Sequence, residues 1–402
     1  MRCFVARHGG PLNRLHGKLD SSMLIGSTVC ICVELSRAVP LCEAVGINER
    51  PYGRFKRTSR LQRFGCRAPR RGPAILAVRI WREISVLDPA YFSLVMATGI
   101  VSNSLFLEGE HALSDLLLAV NLFAYPLLWL LTGPRAARFP RAIGADLVNP
   151  RRVFLFFTAV AATDVLGMSI GLRGFTTIAL VMWLFAFALW LTLIYLGFGV
   201  LMLRNKPGDA DVAEGAWLNA IVGTQSLVIV GGAVALPALR IAPQAFVLLP
   251  MLWGIGLILY GIFVALLSYR FFFAELRPDD ATPPLWIVMG AAAISVNAGV
   301  ILLTSGGATP FLRSLQPFLG GVTLATCAWA SWWIPLLLLL GLWKHGVHRR
   351  SIGYTPMLWS IVFPLGMYSA ATLRLSEVAA IPALASLSWA MIWVALAAWC
   401  AP

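Results

Sequence analysis

The sequence predicts an all-α integral membrane protein, with ten transmembrane helices arranged as five hairpins in a pseudo-five-fold bundle, odd helices inside and even helices outside. Three observations predict it. Apolar residues make up 59% of the 402-residue chain and charged residues 12%, about half the charged share of a soluble domain, and mean hydropathy is +0.78. The apolar content arrives in ten blocks, each near or above the roughly 20 residues that a helix needs to cross hydrocarbon. Small and polar residues gather in alternate blocks, the mark of inner helices whose backbones approach closely.

Residues 1–87 come first. They hold 16 Lys/Arg and 5 Asp/Glu, whereas residues 88–402 hold 16 and 13. The tail thus carries +11 of the net +14, and the body +3. Basicity confined to a leader does not suggest a nucleic-acid-binding domain, and no nucleic-acid partner is expected. Met23–Gly46 is the apolar part of the tail, but Glu34, Arg37, Pro40 and Glu43 interrupt it, so it neither spans a membrane nor reads as a secretory signal. The tail is expected to be disordered; that translation begins downstream of it stays open as an alternative. Positive charge there can meet acidic headgroups, although a solvated flank explains it without them.

From Asp88 onward the predicted spans of the transmembrane transporter domain, 88–402, are Pro89–Leu107, Leu113–Thr132, Val153–Ile170, Thr176–Leu203, Ala216–Leu236, Phe246–Phe273, Leu285–Thr304, Gly320–Trp343, Pro356–Leu373 and Ile381–Trp399. The connections set the orientation. Alternate ones carry Arg135, Arg138, Arg141, Arg151, Arg152, Arg204, Lys206, Arg270, Arg277, Lys344, Arg349 and Arg350; the others carry Arg173, Arg240, Arg313 and Arg374. A basic excess on one side marks the cytoplasm, so both termini are expected inside a plasma (inner) membrane crossed many times.

A faint repeat runs through the odd spans. Ala97-Thr98-Gly99, Ala162-Thr163-Asp164 and Gly223-Thr224-Gln225 place their threonines 65 and 61 residues apart. Pore-lining candidates from this pattern are Thr98, Gly99, Thr163, Asp164, Gly223, Thr224, Gln225, Asn297 and Ser369; close helix packing is the alternative explanation. In the ninth span Pro364 deletes a backbone hydrogen bond and collides with the carbonyl four residues back. Pro364 and Gly366 are therefore expected to kink the helix, which lipid tolerates only where other helices or a water-filled cavity satisfy the freed carbonyl. Phe363 sits beside that break and is expected to plug the pore.

Asp164 is the carboxylate deepest in a predicted span. A buried charge there marks an ion path, a proton relay or an internal partner, with a hydrogen-bonded structural acid as the alternative. Enzyme readings fare poorly. Gly167-Met168-Ser169-Ile170-Gly171 fits Gly-x-Ser-x-Gly literally but ends an apolar helix and follows no predicted strand. All five histidines lie in the tail or connections, which argues against a bundle haem. No cysteine pair has Cys-x-x-Cys spacing and no phosphate-binding Gly-x-x-x-x-Gly-Lys-Ser/Thr occurs. No metal, no cofactor and no catalysis are expected.

Pro89 to Ser102 (PAYFSLVMATGIVS), Asn149 to Phe157 (NPRRVFLFF) and Trp359 to Thr372 (WSIVFPLGMYSAAT) resemble the first, third and ninth helices of the tellurite-resistance/dicarboxylate transporter family. That family includes tellurite-resistance proteins, fungal malate permeases and sulfite pumps, and plant guard-cell anion channels. The resemblance covers about residues 88–400. It implies five pseudo-symmetric hairpins, an axial anion pore blocked by a phenylalanine from the ninth helix, here Phe363, and a homotrimer. The family often has a histidine before the proline that opens the third helix; Asn149 stands here. The function implied is transport of a small anion such as malate, sulfite or tellurite; a membrane enzyme or assembly subunit without a pore is the alternative.

Overall fold

The structure, a computed structural model, describes residues 80–204, 215–239, 247–273, 275–305, 310–351 and 353–401. Residues 1–79, and with them almost all of the basic tail, lie outside the described residues, as do Lys206 and Arg240. Among the described residues there is no strand. Ten helices are long and apolar enough to cross a membrane: α1 Pro89–Leu107, α2 His111–Arg138, α3 Val153–Gly171, α4 Thr176–Arg204, α5 Gly215–Leu239, α6 Leu248–Phe273, α7 Pro283–Ser305, α8 Gln316–Val347, α9 Pro356–Ala379 and α10 Pro382–Trp399.

Each odd helix opens with a single tight turn: Pro89–Tyr91, Val153–Phe156, Gly215–Leu218, Pro283–Trp286 and Pro356–Leu358. Proline fits such a start because its missing N–H would be unpaired there anyway. Between 72% and 89% of the apolar window of each odd helix is buried, against 17% to 39% for the even ones. The even helices therefore present Leu, Phe and Trp outward, the surface that lipid requires.

Contacts run in order. Helix α1 touches α3, α3 touches α5, α5 touches α7, α7 touches α9, and α9 returns to α1. Even helices lie in the grooves: α2 against α1 and α3, α4 against α3 and α5, α6 against α5 and α7, and α10 against α9 and α1. Helix α8 packs on α7 and reaches α9 through Ser331 and Tyr368, whose oxygens are 2.7 Å apart.

Three helices differ from their predicted bounds in an informative way. Helix α2 runs six residues beyond Thr132, through Pro134 to Arg138. It does so because Arg135, assigned by sequence to a connection, is buried against Asp146 of the short helix Pro140–Leu147 at 2.7 Å. Arg152 bonds the other Asp146 oxygen at 2.9 Å and reaches Asp88 at 3.4 Å. Helix α8 starts at Gln316 and continues to Val347 rather than spanning Gly320–Trp343. Helix α9 continues through Pro364 and past Leu373 to Ala379, which moves Arg374 from a connection into the helix.

Candidate functional site

The site grows out of one stripe. Residues three and four apart share a helix face, so Phe363, Met367, Ala370 and Arg374 fall in line on α9. The last three line a central cavity of about 30 Å³, space for about two waters. Ile100, Asn103 and Leu107 of α1 complete it, with Asp164, Val165 and Met168 of α3, Ser226, Ile229 and Val230 of α5, and Ile294 and Asn297 of α7. All five odd helices contribute and no even helix does.

One cation and one carboxylate face this space. Arg374 donates from Nη1 to Asn297 Oδ1 at 3.0 Å, and Asn297 Nδ2 approaches Met367 Sδ at 3.6 Å. Asp164 is fully buried; its Oδ2 accepts from Ser226 Oγ at 2.7 Å, while Oδ1 has no hydrogen-bond partner. Asn103 is held at both ends, donating to Val165 O at 3.1 Å and accepting from Ser169 Oγ at 2.7 Å. Chemically, this is a short polar band in an apolar tube, with a guanidinium on one wall and a carboxyl on another.

Of the nine sequence-predicted lining residues, Asp164 and Asn297 face the cavity. Five others hydrogen-bond an even helix. Trp399 Nε1 donates to Thr98 Oγ1 at 2.9 Å, and Trp190 Nε1 to Thr224 Oγ1 at 2.8 Å. Thr163 lies 2.8 Å from Tyr125 Oη and donates to Ala159 O, so the phenol is the donor. Gln225 donates to Trp253 O at 3.2 Å, and Ser369 to Ser388 O at 3.1 Å. Gly99 packs against Val165 and Asn121, and Gly223 against Phe157 and Val160. A buried hydroxyl or amide must find a partner, and the grooves holding the even helices supply one.

Phe363 is fully buried one turn before Met367, outside the cavity lining. Pro364 meets Gly290 of α7 so closely that a Cβ there would lie 2.8 Å from Pro364 Cγ. Gly366 comes similarly near Ile100, whose Cγ2 would be 3.0 Å from an added Cβ. Ser169 of the Gly-x-Ser-x-Gly run bonds Asn103 and its own helix at Val165 O. The sequence reading missed Arg374, Asn103 and Ser226. Arg374 was findable by extending the Phe363 stripe by three turns; nothing in the sequence singled out the other two.

Comparison with known proteins agrees with this architecture. A family model described as a voltage-dependent anion channel matches residues 87–401. A transporter from Methanocaldococcus jannaschii is 25% identical over 302 residues, covering 72% of this chain and 84% of its own length. A sulfite efflux pump from Arthroderma otae is 24% identical over 326 residues, covering 74% and 84%. A membrane protein from Mycobacterium tuberculosis is 40% identical over 141 residues, 35% of this chain and 71% of that protein. These names describe channels and transporters, not enzymes. With the match running from the start of α1 to the end of α10, the chain belongs to the voltage-dependent anion channel family.

Proposed function

We propose that this chain carries small inorganic or organic anions across a plasma membrane along the axis of its odd helices, with Phe363 as the gate. The observation that carries this reading is the α9 stripe: Met367, Ala370 and Arg374 line the cavity, and Phe363 continues their face one turn earlier. Its ring then closes the end of the cavity nearer the start of the odd helices. The ordered contacts and the burial contrast support a pseudo-five-fold barrel of hairpins. The basic connections support cytoplasmic termini, which puts the gate on the cytoplasmic side of the cavity. Pro364 and Gly366 are the kink that holds it there, and the assembly is a homotrimer. Sulfite is the substrate the sulfite-pump relative favours; malate and tellurite are the alternatives.

No ATP-binding motif accompanies the pore, so flux follows the anion gradient. The reading is tested in vesicles holding the purified chain, with anion flux followed for sulfite, malate, chloride and tellurite. Phe363→Ala is expected to raise flux well above the wild-type level. Silence from both forms, with every anion, would remove the pore and leave the reading of a subunit without one.

A further inference from the structure

Two unmet groups face one small space. Asp164 Oδ1 is fully buried, lines the cavity and has no hydrogen-bond partner. Arg374 lines the same cavity, and one of its five N–H donors is used, by Asn297 Oδ1. A guanidinium calls for a negative ligand. An unpaired carboxylate oxygen calls for a donated proton. A single ligand meets both demands only if it is an anion that still carries an acidic O–H.

We propose that the cavity is a binding site for a singly protonated oxyanion of the hydrogen sulfite kind. Its charge lies against Arg374, and its O–H donates to Asp164 Oδ1. This rests on the pore reading above and adds a substrate class to it. A halide would satisfy Arg374 alone and sit against a carboxylate with nothing to offer it. A fully ionised dianion would bring two negative charges to Asp164 in a site that water does not screen. Space for about two waters suits a compact inorganic oxyanion better than a four-carbon dicarboxylate.

Other charges do not take over this role. Asp164 is approached from α5 by Ser226, which already uses Oδ2. From α2 the titratable neighbour is Tyr125, whose phenol donates to the adjacent Thr163. Helix α1 brings Asn103, and α7 brings Asn297. The titratable groups of α4, Tyr195 and Arg204, are both exposed. Across the cavity, Arg374 is the one charged group of the lining besides Asp164, and Glu377, a turn further along α9, is exposed. One proton is therefore shared between the ligand oxygen and Oδ1, and no covalent bond changes.

The test is equilibrium binding to the purified full chain, with sodium sulfite and sodium chloride titrated across the pH range in which hydrogen sulfite loses its proton. Sulfite affinity is expected to fall at least about tenfold as pH rises, and chloride to bind at least about tenfold more weakly at the acid end, the value of one charge-assisted hydrogen bond. Asp164→Asn should flatten the pH profile. Arg374→Gln should weaken sulfite at every pH, and Arg374→Lys should restore part of the loss. Equal affinity for chloride and sulfite, or a flat wild-type profile, overturns the site without any variant having to fold. The failures separate: if Phe363→Ala passes no anion but this binding pattern holds, the pore reading falls and the site stands. If Phe363→Ala conducts but the pattern is missing, the site falls and the pore stands.

Discussion

Phe363 and Arg374 are eleven residues apart in α9, about 16 Å along the axis at 1.5 Å per residue. The hydrophobic end of that face is what the sequence displayed, because an aromatic beside Pro364 is conspicuous. The charged end was hidden by a sound rule, that a span stops at the first arginine. The rule fails here because Arg374 faces Asn297 and the cavity instead of lipid. The threonine repeat was visible too, but its meaning lay in partners that sequence spacing does not name. Thr163 keeps its own bond to Ala159 O when Tyr125 is lost. Tyr125→Phe should therefore cost about 1 kcal/mol in thermal unfolding in detergent, with anion flux unchanged. A large loss of flux would return Thr163 to the pore lining.

At the scale of elements, the fit between α7 and α9 depends on the absence of a side chain at Gly290. An added Cβ would lie 2.8 Å from Pro364 Cγ and 3.2 Å from Pro364 Cα. A proline ring cannot swing aside, so Gly290→Val must push the helices apart, at about 1–3 kcal/mol for such overpacking. The expected outcome is a lower melting temperature together with raised basal flux in protein that still has Phe363, since the gate is carried on the displaced helix. Unchanged melting would mean that the two helices have slack that this packing does not show. The positions of all ten helices were legible from hydropathy, but some of their ends were not. Arg135 buried with Asp146, and Arg374 turned inward, both extend helices past residues that read as loop.

At the scale of the molecule, the basic excess on alternate connections was readable because charge bias does not depend on tertiary structure. Some of those arginines also have local work: Arg135 and Arg152 share Asp146, and Arg173 on the opposite side pairs with Asp115 at 2.6 Å. Orientation is checked with Cys400, which is exposed just beyond α10. In a variant keeping Cys400 as its sole cysteine, a membrane-impermeant maleimide should label inverted vesicles and spare intact cells. The reverse pattern would put the termini outside.

The bonds between hairpins also say something about where the chain can be cut. Tyr125 ties the first hairpin to the second, Trp190 the second to the third, and Trp253, through Ser295 O at 2.9 Å, the third to the fourth. Tyr368 ties the fourth to the fifth, and Trp399 ties the fifth back to the first. The last tie is of the same kind as the others, so the circle has no privileged seam. A circular permutant opened between α4 and α5, with the end of α10 linked to the start of α1, should insert, melt close to the parent and conduct after Phe363→Ala. Failure of that permutant alone, with the parent intact, would show that the order in which the hairpins are made matters as much as the ring they close.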